Sequence, residues 1–173
     1  GLIGAGPTTP PPPTSSSTLT STHGALMISE VLAHNVAAVQ NGATFPDVIE
    51  LYNSAAVAAD LTGMSFTDDP ALPGKYTFPP GTTIPAGEFL LLYADTDAAA
   101  PGLHTGFALD RDGDELRLYN GATLVDSLIF GPQAADLSIS RTGAGLDVWA
   151  LTTPTLGAAN STPHALGNLG ALV

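Results

Sequence analysis

Short apolar runs along the chain predict β-strands. In residues 47–53, Ile49 and Leu51 fall on one face and Glu50 on the other, which is the two-residue period of a strand. No stretch keeps the 3.6-residue period of an amphipathic helix. The other predicted strands are residues 26–32, 64–67, 76–78 and 88–93, and the last is apolar on both faces, as expected of a central strand.

Two turn signals predict a three-stranded antiparallel meander. An Asp-Gly pair at 112–113 separates residues 107–109 from residues 116–119. An Asn-Gly pair then separates residues 116–119 from residues 124–130. Both dipeptides suit tight turns that need a positive φ. Because Pro- and Gly-containing breakers recur between the other apolar runs, the sequence predicts an all-β sandwich.

Composition agrees with a β-sandwich whose core is built from small side chains. The chain has 173 residues, of which 19 are Gly and 15 are Pro, and this share of turn formers argues against a helical bundle. Hydrophobic residues make up 44% but aromatic residues only 6%, so Ala, Leu and Val must supply most of the core. The length fits one domain of about 130–150 residues with appendages.

The charge balance excludes two classes of partner. Four Lys and Arg residues stand against 16 Asp and Glu residues, which gives a formal net charge of -12. A chain this acidic cannot neutralise a run of phosphates through a basic patch, and charge does not hold it to an anionic membrane surface. No apolar stretch reaches the roughly 20 residues needed to cross a bilayer. The sequence therefore predicts neither a nucleic-acid partner nor a membrane span.

Export is predicted from the beginning of the chain. Position 1 is Gly rather than Met, which fits a processed product from which a signal peptide has been removed. Cysteine gives no information on the compartment, because the sequence contains none and so has neither a disulfide framework nor a thiolate metal site. We expect an extracellular or cell-surface location.

Both ends of the chain differ from the predicted sandwich, which covers residues 25–160. Residues 1–24 are predicted to form an extended arm. It has an apolar tip, residues 1–6, and a Pro/Thr/Ser-rich stretch whose four consecutive prolines favour polyproline II. Residues 161–173 form an apolar tail. The residues expected to make assembly contacts are Leu2, Ile3, Pro10, Pro11, Pro12, Pro13, Leu169, Leu172 and Val173.

An ordered series of segments resembles the lamin tail domain family. These segments are residues 28–31, 48–53, 60–68, 76–90, 102–107, 125–133, 136–141, Trp149 and 153–160. The resemblance spans about residues 26–160. It implies an immunoglobulin-like β-sandwich, of the kind found in nuclear lamins and in many exported prokaryotic proteins, and it implies no common catalytic set.

The chain departs from the family pattern at two points. Ser140 stands where the family tends to have Gly before the Arg. The residues before the predicted sandwich carry no coiled-coil rod pattern. Because the rod is the part that polymerises in nuclear lamins, the resemblance is to the exported type of lamin tail domain rather than to a lamina protein.

The densest group of carboxylates, Asp110, Asp112 and Asp114, resembles a calcium loop only superficially. An EF-hand needs Gly at its sixth position and Glu at its twelfth, whereas here Gly113 is fourth and the twelfth residue is Gly121. Two interpretations stay open. The favoured one is a hairpin turn whose acids face water, and the other is a solvent-facing Ca²⁺ site, the one cofactor that the sequence suggests.

Residues 68–69 and 95–97 could supply further oxygens to such a calcium site only if the fold brings their loops close to it.

The histidines lack the spacing that prepares a metal-binding face; they are His23, His34, His104 and His164. Ser138 and Ser140, near Asp136, have neither a nucleophile elbow nor a local base. We therefore predict a protein that is not an enzyme.

Arg141 is expected to have a structural role beside Trp149. The predicted partner is a strand carboxylate, Glu30 or Glu50, because a partly buried Glu needs a strong donor. A separate signal lies at Asn160, which begins an Asn-Ser-Thr triplet and is a candidate for N-glycosylation.

Three functional classes fit the sequence to different degrees. A low fraction of charged residues, 12%, and two apolar ends favour a non-enzymatic extracellular structural protein, a self-assembling subunit of a filament or surface layer. The copies would be joined by inter-subunit contacts of the arm, the tail or both. The alternative is a binding or targeting module, Ca²⁺-dependent or not, from an exported hydrolase. An enzyme in its own right fits least.

Overall fold

The computed structural model describes residues 24–97 and 99–164, and the regular elements within these residues are all β-strands. The strands are β1 Leu26–Leu32, β2 Asp47–Asn53, β3 Ala59–Asp60, β4 Ser65–Thr67, β5 Tyr76–Thr77, β6 Thr83–Ile84, β7 Phe89–Ala94, β8 Leu103–His104, β9 Asp114–Asn120, β10 Thr123–Phe130, β11 Ser138–Thr142 and β12 Val148–Thr152. The residues expected to make assembly contacts lie outside the described residues; they are Leu2, Ile3, Pro10, Pro11, Pro12, Pro13, Leu169, Leu172 and Val173. No helix long and apolar enough to span a membrane occurs in the described part.

The strands form two main sheets that face each other. The larger has the order β12-β11-β1-β2-β7-β8 and is antiparallel except for the β7–β8 pair. The smaller has the order β10-β9-β4-β5, and β3 pairs with β6 in a separate ribbon. This arrangement is an immunoglobulin-like β-sandwich, which confirms the predicted fold class.

The hydrophobic core lies between the two main sheets. The larger sheet contributes fully buried side chains from β1 and β2, and the smaller sheet contributes others from β4, β9 and β10. The main contributors are Ile28, Val31, Ile49, Leu51, Phe66, Leu116, Leu118, Leu128 and Phe130. Together with buried loop residues, these aliphatic and phenyl side chains supply the apolar burial that holds the sheets together.

The predicted meander is wrong at its first strand. Residues 107–109 form no strand, and β9 pairs with β4 on the side where the meander would have continued. Phe107 and Leu109 still enter the core, but a local bond from Thr105 Oγ1 to Phe107 O, 2.7 Å long, takes the place of a ladder. The second hairpin is confirmed: Asn120 lies opposite Thr123, and Gly121 in the turn has a φ of 58°.

The strand predicted to be central, β7, is an interior strand with a neighbour on each side, although it lies near one edge of the larger sheet. β7 lies second from the edge of the larger sheet, with only the two-residue β8 outside it. The apolar side chains on the outer face of β7 are explained by a contact with β2. Phe89 lies opposite Tyr52 of β2, and the two rings stack with centroids 4.6 Å apart, so an aromatic contact covers the outer face there.

Two β-bulges set which side chains face the core. In β1 the register shifts between Ile28 and Glu30, and in β10 it shifts between Leu124 and Asp126. A bulge places one extra residue in a strand and re-aims the side chains that follow it. After the β10 bulge, Asp126 is buried in alternation with Leu128 and Phe130 of the core.

The chain after β12 folds back across the outer face of the larger sheet. Thr155 donates to the carboxylate of Glu30, and Gly157 donates to the carboxylate of Glu50. At its far end, His164 N donates to Leu151 O at 2.8 Å. Contacts with the sandwich therefore continue to His164, past residue 160.

Candidate functional site

Arg141 forms a buried ion pair with Asp126, not with Glu30 or Glu50 as the sequence suggested. The Arg141 and Asp126 side chains are 0% and 2% exposed, and Nη2 of Arg141 lies 2.9 and 3.0 Å from the two carboxylate oxygens. Glu30 lies opposite Ser140, so it faces the other side of the sheet from Arg141. The β10 bulge supplies the inward carboxylate instead, and no local sequence signal marks that bulge.

Both the guanidinium and the carboxylate of this ion pair have further partners. Arg141 Nε donates to Ile28 O at 2.8 Å, and its Nη1 donates to Leu146 O at 3.1 Å. Asp126 accepts from Ile28 N at 2.8 Å and from its neighbour Ser127 N at 2.9 Å. The Trp149 ring lies 4.6 Å from the Arg141 guanidinium, as expected from the sequence. The network joins β10 of one sheet to β1 and β11 of the other.

Glu30 and Glu50 form a second buried group on the outer face. They lie opposite each other on β1 and β2 and are fully buried. Thr155 donates to Glu30 through both its N, at 3.0 Å, and its Oγ1, at 2.8 Å, whereas Glu50 accepts from Gly157 N at 2.6 Å and keeps Oε1 without a partner.

Burial raises the pKa of Glu50 to about 7, and the negative charge of Glu30 adds to this shift. The two carboxylates thus hold the segment after β12 against the sheet, and one of them changes its charge near neutral pH.

A cleft of about 660 Å³ opens beside that segment. One wall is the stacked pair of Tyr52 and Phe89, whose rings are inclined by 25°, and the other walls come from residues 141–146 and 159–163. The lining side chains are mostly engaged within the protein. Thr142 Oγ1 donates to Val148 O at 3.2 Å, and Ser161 Oγ donates to Thr153 O at 3.0 Å. The cleft therefore has an aromatic wall, and several of its polar side chains already donate within the protein.

Asn160 lies at the edge of this cleft and is part of the fold. Its Nδ2 lies 3.1 Å from Ser29 O, 3.2 Å from Ser29 Oγ and 2.8 Å from Arg141 O. A glycan would be attached at this same nitrogen. Glycosylation of the folded domain would disrupt contacts between the segment after β12 and the sheet, so the geometry argues against the Asn160 candidate.

The three predicted calcium ligands mainly bind their own loop. Asp110 accepts from Asp112 N at 2.9 Å, and Asp114 accepts from Asp110 N at 3.0 Å and from Glu115 N at 2.8 Å. These bonds are typical of a turn stabilised by its own acids.

The fold does bring Asp68 to this loop, where it shares an open pocket with Asp110 and Asp114, and burial together with these charges raises the pKa of Asp114. Asp95 pairs with His104 instead. In the part of the chain that is described, no group of three His, Cys, Asp or Glu residues is placed to hold a metal ion.

The free side of β10 is the longest open sheet edge in the described ranges. Its partner is β9 alone, while the other edge strands β5 and β8 have two residues each, and β12 receives the backbone bond from His164. Leu124 and Ile129 of β10 are 45% and 66% exposed. No local sequence signal marks this edge, because the position of a strand in its sheet depends on topology.

Comparison with known protein families gives one match. The family model of the lamin tail domain matches residues 20–131, which takes in β1 through β10. The match ends before β11 and β12, although these two strands complete the larger sheet and supply Arg141 and Trp149. A comparison with curated proteins found no match. Because the matched residues make up more than half of the chain and fold as an immunoglobulin-like sandwich, the protein belongs to the lamin tail domain family, a family of non-catalytic domains.

Proposed function

We propose that the protein is a non-enzymatic structural subunit, exported to the cell surface or beyond, that assembles by strand addition. In this proposal the apolar tip of one copy pairs with the β10 edge of the next. The single observation that carries it is the open β10 edge with its exposed Leu124 and Ile129. An edge strand offers unpaired N–H and C=O groups that an extended segment can bind.

The tip and the edge match in length and character. After the bulge, β10 is regular from Asp126 to Phe130, five residues long. The tip, Gly-Leu-Ile-Gly-Ala-Gly, is six residues long and would reach about 20 Å as a strand. Leu2 and Ile3 would cover the apolar side chains of the edge. Such a contact joins different surfaces of two copies, so it repeats into a fibre unless the rotation closes a ring.

The absence of enzymatic activity is part of the proposal and rests on the family and on the histidine geometry. His104 has both ring nitrogens engaged, Nδ1 with Asp95 and Nε2 with Ala100 O at 3.1 Å. Ser140, one of the two serines weighed as nucleophiles, bonds Thr152 Oγ1 at 2.7 Å and is fully buried. Neither group is available to a substrate, which supports a structural protein over a hydrolase.

The test compares two lysine substitutions at equally exposed apolar positions. Ile129→Lys places a charge on the β10 edge, and Val57→Lys, at a residue 70% exposed in the loop between β2 and β3, is the matched control. Assembly is followed by light scattering and negative-stain microscopy over a concentration series. We expect filaments from the unmodified chain, and a rise of about tenfold or more in the concentration at which Ile129→Lys assembles. The control should behave like the unmodified chain.

Two results would contradict the proposal. One is equal assembly by Ile129→Lys and the unmodified chain, with circular dichroism showing that both are folded. The other is a chain that stays monomeric at every concentration. The second result would favour a binding or targeting module, the candidate function that the aromatic cleft supports.

A further inference from the structure

We propose that the cleft between Tyr52–Phe89 and the segment after β12 binds a proline-rich segment in polyproline II conformation, and that its occupant is the run Pro10 to Pro13 of a second copy. The binding chemistry stands on the cleft alone. The choice of a second copy rests on the proposed function.

The aromatic wall suits proline rings. Tyr52 and Phe89 are both half-buried, and their rings stack face to face where β2 ends and β7 begins, which gives the cleft an apolar aromatic wall. Proline-rich segments bind to aromatic-lined grooves because polyproline II is already extended and loses little entropy on binding. The volume of about 660 Å³ lies within the range of ligand clefts.

The polar groups of the cleft disfavour an occupant that needs many hydrogen bonds. Thr142, Ser161 and Asn160 use their donors on backbone carbonyls of the protein itself. A carbohydrate, which presents many hydroxyls, would find few donors there. A proline run has no N–H groups to satisfy, and in polyproline II its carbonyls can stay in contact with water, so it loses fewer hydrogen bonds than a carbohydrate on entering such a site.

The chain itself contains a segment of this kind, and it joins the sandwich next to the cleft. The residues before Gly24 include four consecutive prolines. Ala25 O accepts from Ser54 N at 2.8 Å, and Met27 lies opposite Tyr52, so the arm meets the sandwich beside the aromatic wall. Every copy therefore carries a proline run that is attached to the sandwich near this face.

The arm is long enough to present its tip and its proline run to separate surfaces of a neighbouring copy. Arg141 of β11 lines the cleft, where its carbonyl accepts from Asn160, and its buried side chain pairs with Asp126 of β10. About eight residues separate Ile3 from Pro11, which corresponds to about 25 Å in polyproline II.

The binding test uses full-length chains and a synthetic peptide. The receptor is the chain with Pro10, Pro11, Pro12 and Pro13 replaced by Ser, so that its own arm does not compete. The probe is a capped peptide of residues 7–14, Pro-Thr-Thr-Pro-Pro-Pro-Pro-Thr, titrated while backbone amide NMR shifts are recorded. We expect saturable shifts around the cleft and none with a peptide whose four consecutive prolines are Ser.

Two pairs of variants locate the site. Tyr52→Ala is expected to weaken peptide binding about tenfold, the usual loss for a central aromatic contact, and Tyr119→Ala on the other sheet should leave it unchanged. Ala159→Glu fills the cleft from an exposed position without disturbing packing, and its neighbour Ala158→Glu, which does not line the cleft, is its control. This second pair keeps the test decisive if Tyr52→Ala folds poorly.

The outcomes separate this inference from the proposed function. Absence of peptide binding, or equal binding by Ala159→Glu and Ala158→Glu, overturns the cleft assignment even if the chain assembles through β10. Saturation of the cleft by cellohexaose but not by the peptide makes it a carbohydrate site and also overturns it. If the peptide binds yet the four-proline variant assembles like the unmodified chain, the assignment of the arm as occupant is wrong.

Discussion

Replacement of Arg141 by Met is expected to destabilise the sandwich strongly, because it leaves Asp126 charged and buried. The guanidinium makes two contacts with that carboxylate and donates to the carbonyls of Ile28 and Leu146. Without it, Asp126 keeps only two backbone N–H donors for a full negative charge. Both carbonyls lose a charged donor in the same step.

The size of the effect follows from the burial of the pair. Removing one partner of a buried ion pair costs about 3–5 kcal/mol. At about 2–4 °C per kcal/mol for a chain of this length, the melting temperature should fall by about 6–20 °C. Because Met fills much of the volume of Arg, this loss comes mainly from the uncompensated charge and the lost hydrogen bonds rather than from a cavity.

Urea unfolding measures this loss directly. Trp149, the single tryptophan, lies over Arg141 and reports by fluorescence, and far-UV circular dichroism provides a second probe because the substitution alters the tryptophan's surroundings. Arg111→Met is the matched control. Its side chain is 63% exposed and lies 4.0 Å from Asp112, so a change within about 0.5 kcal/mol is expected.

The double variant Arg141→Met with Asp126→Leu separates charge from packing. With both charges removed, no ion is left unpaired in the core, and we expect much of the lost stability to return. A loss below about 1 kcal/mol for Arg141→Met would refute the argument that the pair holds the sheets together. A double variant as unstable as the sum of the two single variants would refute the role of the unpaired charge.

Two further predictions concern titration and metal binding. Because the folded state raises the pKa of Glu50 from 4.5 to about 7, it binds the proton more tightly than the unfolded state, and stability should decrease as pH rises from 4.5 to 7. Above pH 7, Glu50→Gln should therefore have a free energy of unfolding up to about 3 kcal/mol higher than the unmodified chain. Glu88→Gln, at an exposed site, is the control and should not change it. Equal dependence of stability on pH for all three chains would contradict this prediction. Millimolar Ca²⁺ should leave the melting temperature unchanged, since Asp110 and Asp114 bind their own loop, and a rise of many degrees reversed by EDTA would establish a calcium site.

The strand pattern was predictable wherever local alternation and tertiary packing agree. β1 and β2 have the predicted bounds because their apolar side chains do form the core. The Asn-Gly turn at Asn120 identified the hairpin for a local reason, the positive φ of Gly121. Phe107 and Leu109 show the limit of this reasoning, because two apolar side chains can enter a core from a loop as well as from a strand.

The partner of Arg141 could not be predicted, because it depends on two registers. Asp126 reaches the core only through the β10 bulge, and Glu30 is turned away from Arg141 by its position opposite Ser140. From sequence, Glu30 and Glu50 were reasonable partners because they lie in apolar strands. In the fold they bind the backbone of the segment after β12, a contact more than 100 positions away in the chain.

Cross-linking between two copies that carry cysteine at different positions tests the proposed strand addition most directly. The sequence has no cysteine, so single substitutions provide unique reactive groups. A chain with Ile3→Cys is mixed with a chain carrying Ile129→Cys, a short bismaleimide is added, and the linked peptides are identified by mass spectrometry. We predict efficient linkage between the tip of one copy and β10 of the other. Linkage no greater than that of a control mixture with Val57→Cys would contradict the proposal that the tip binds the β10 edge.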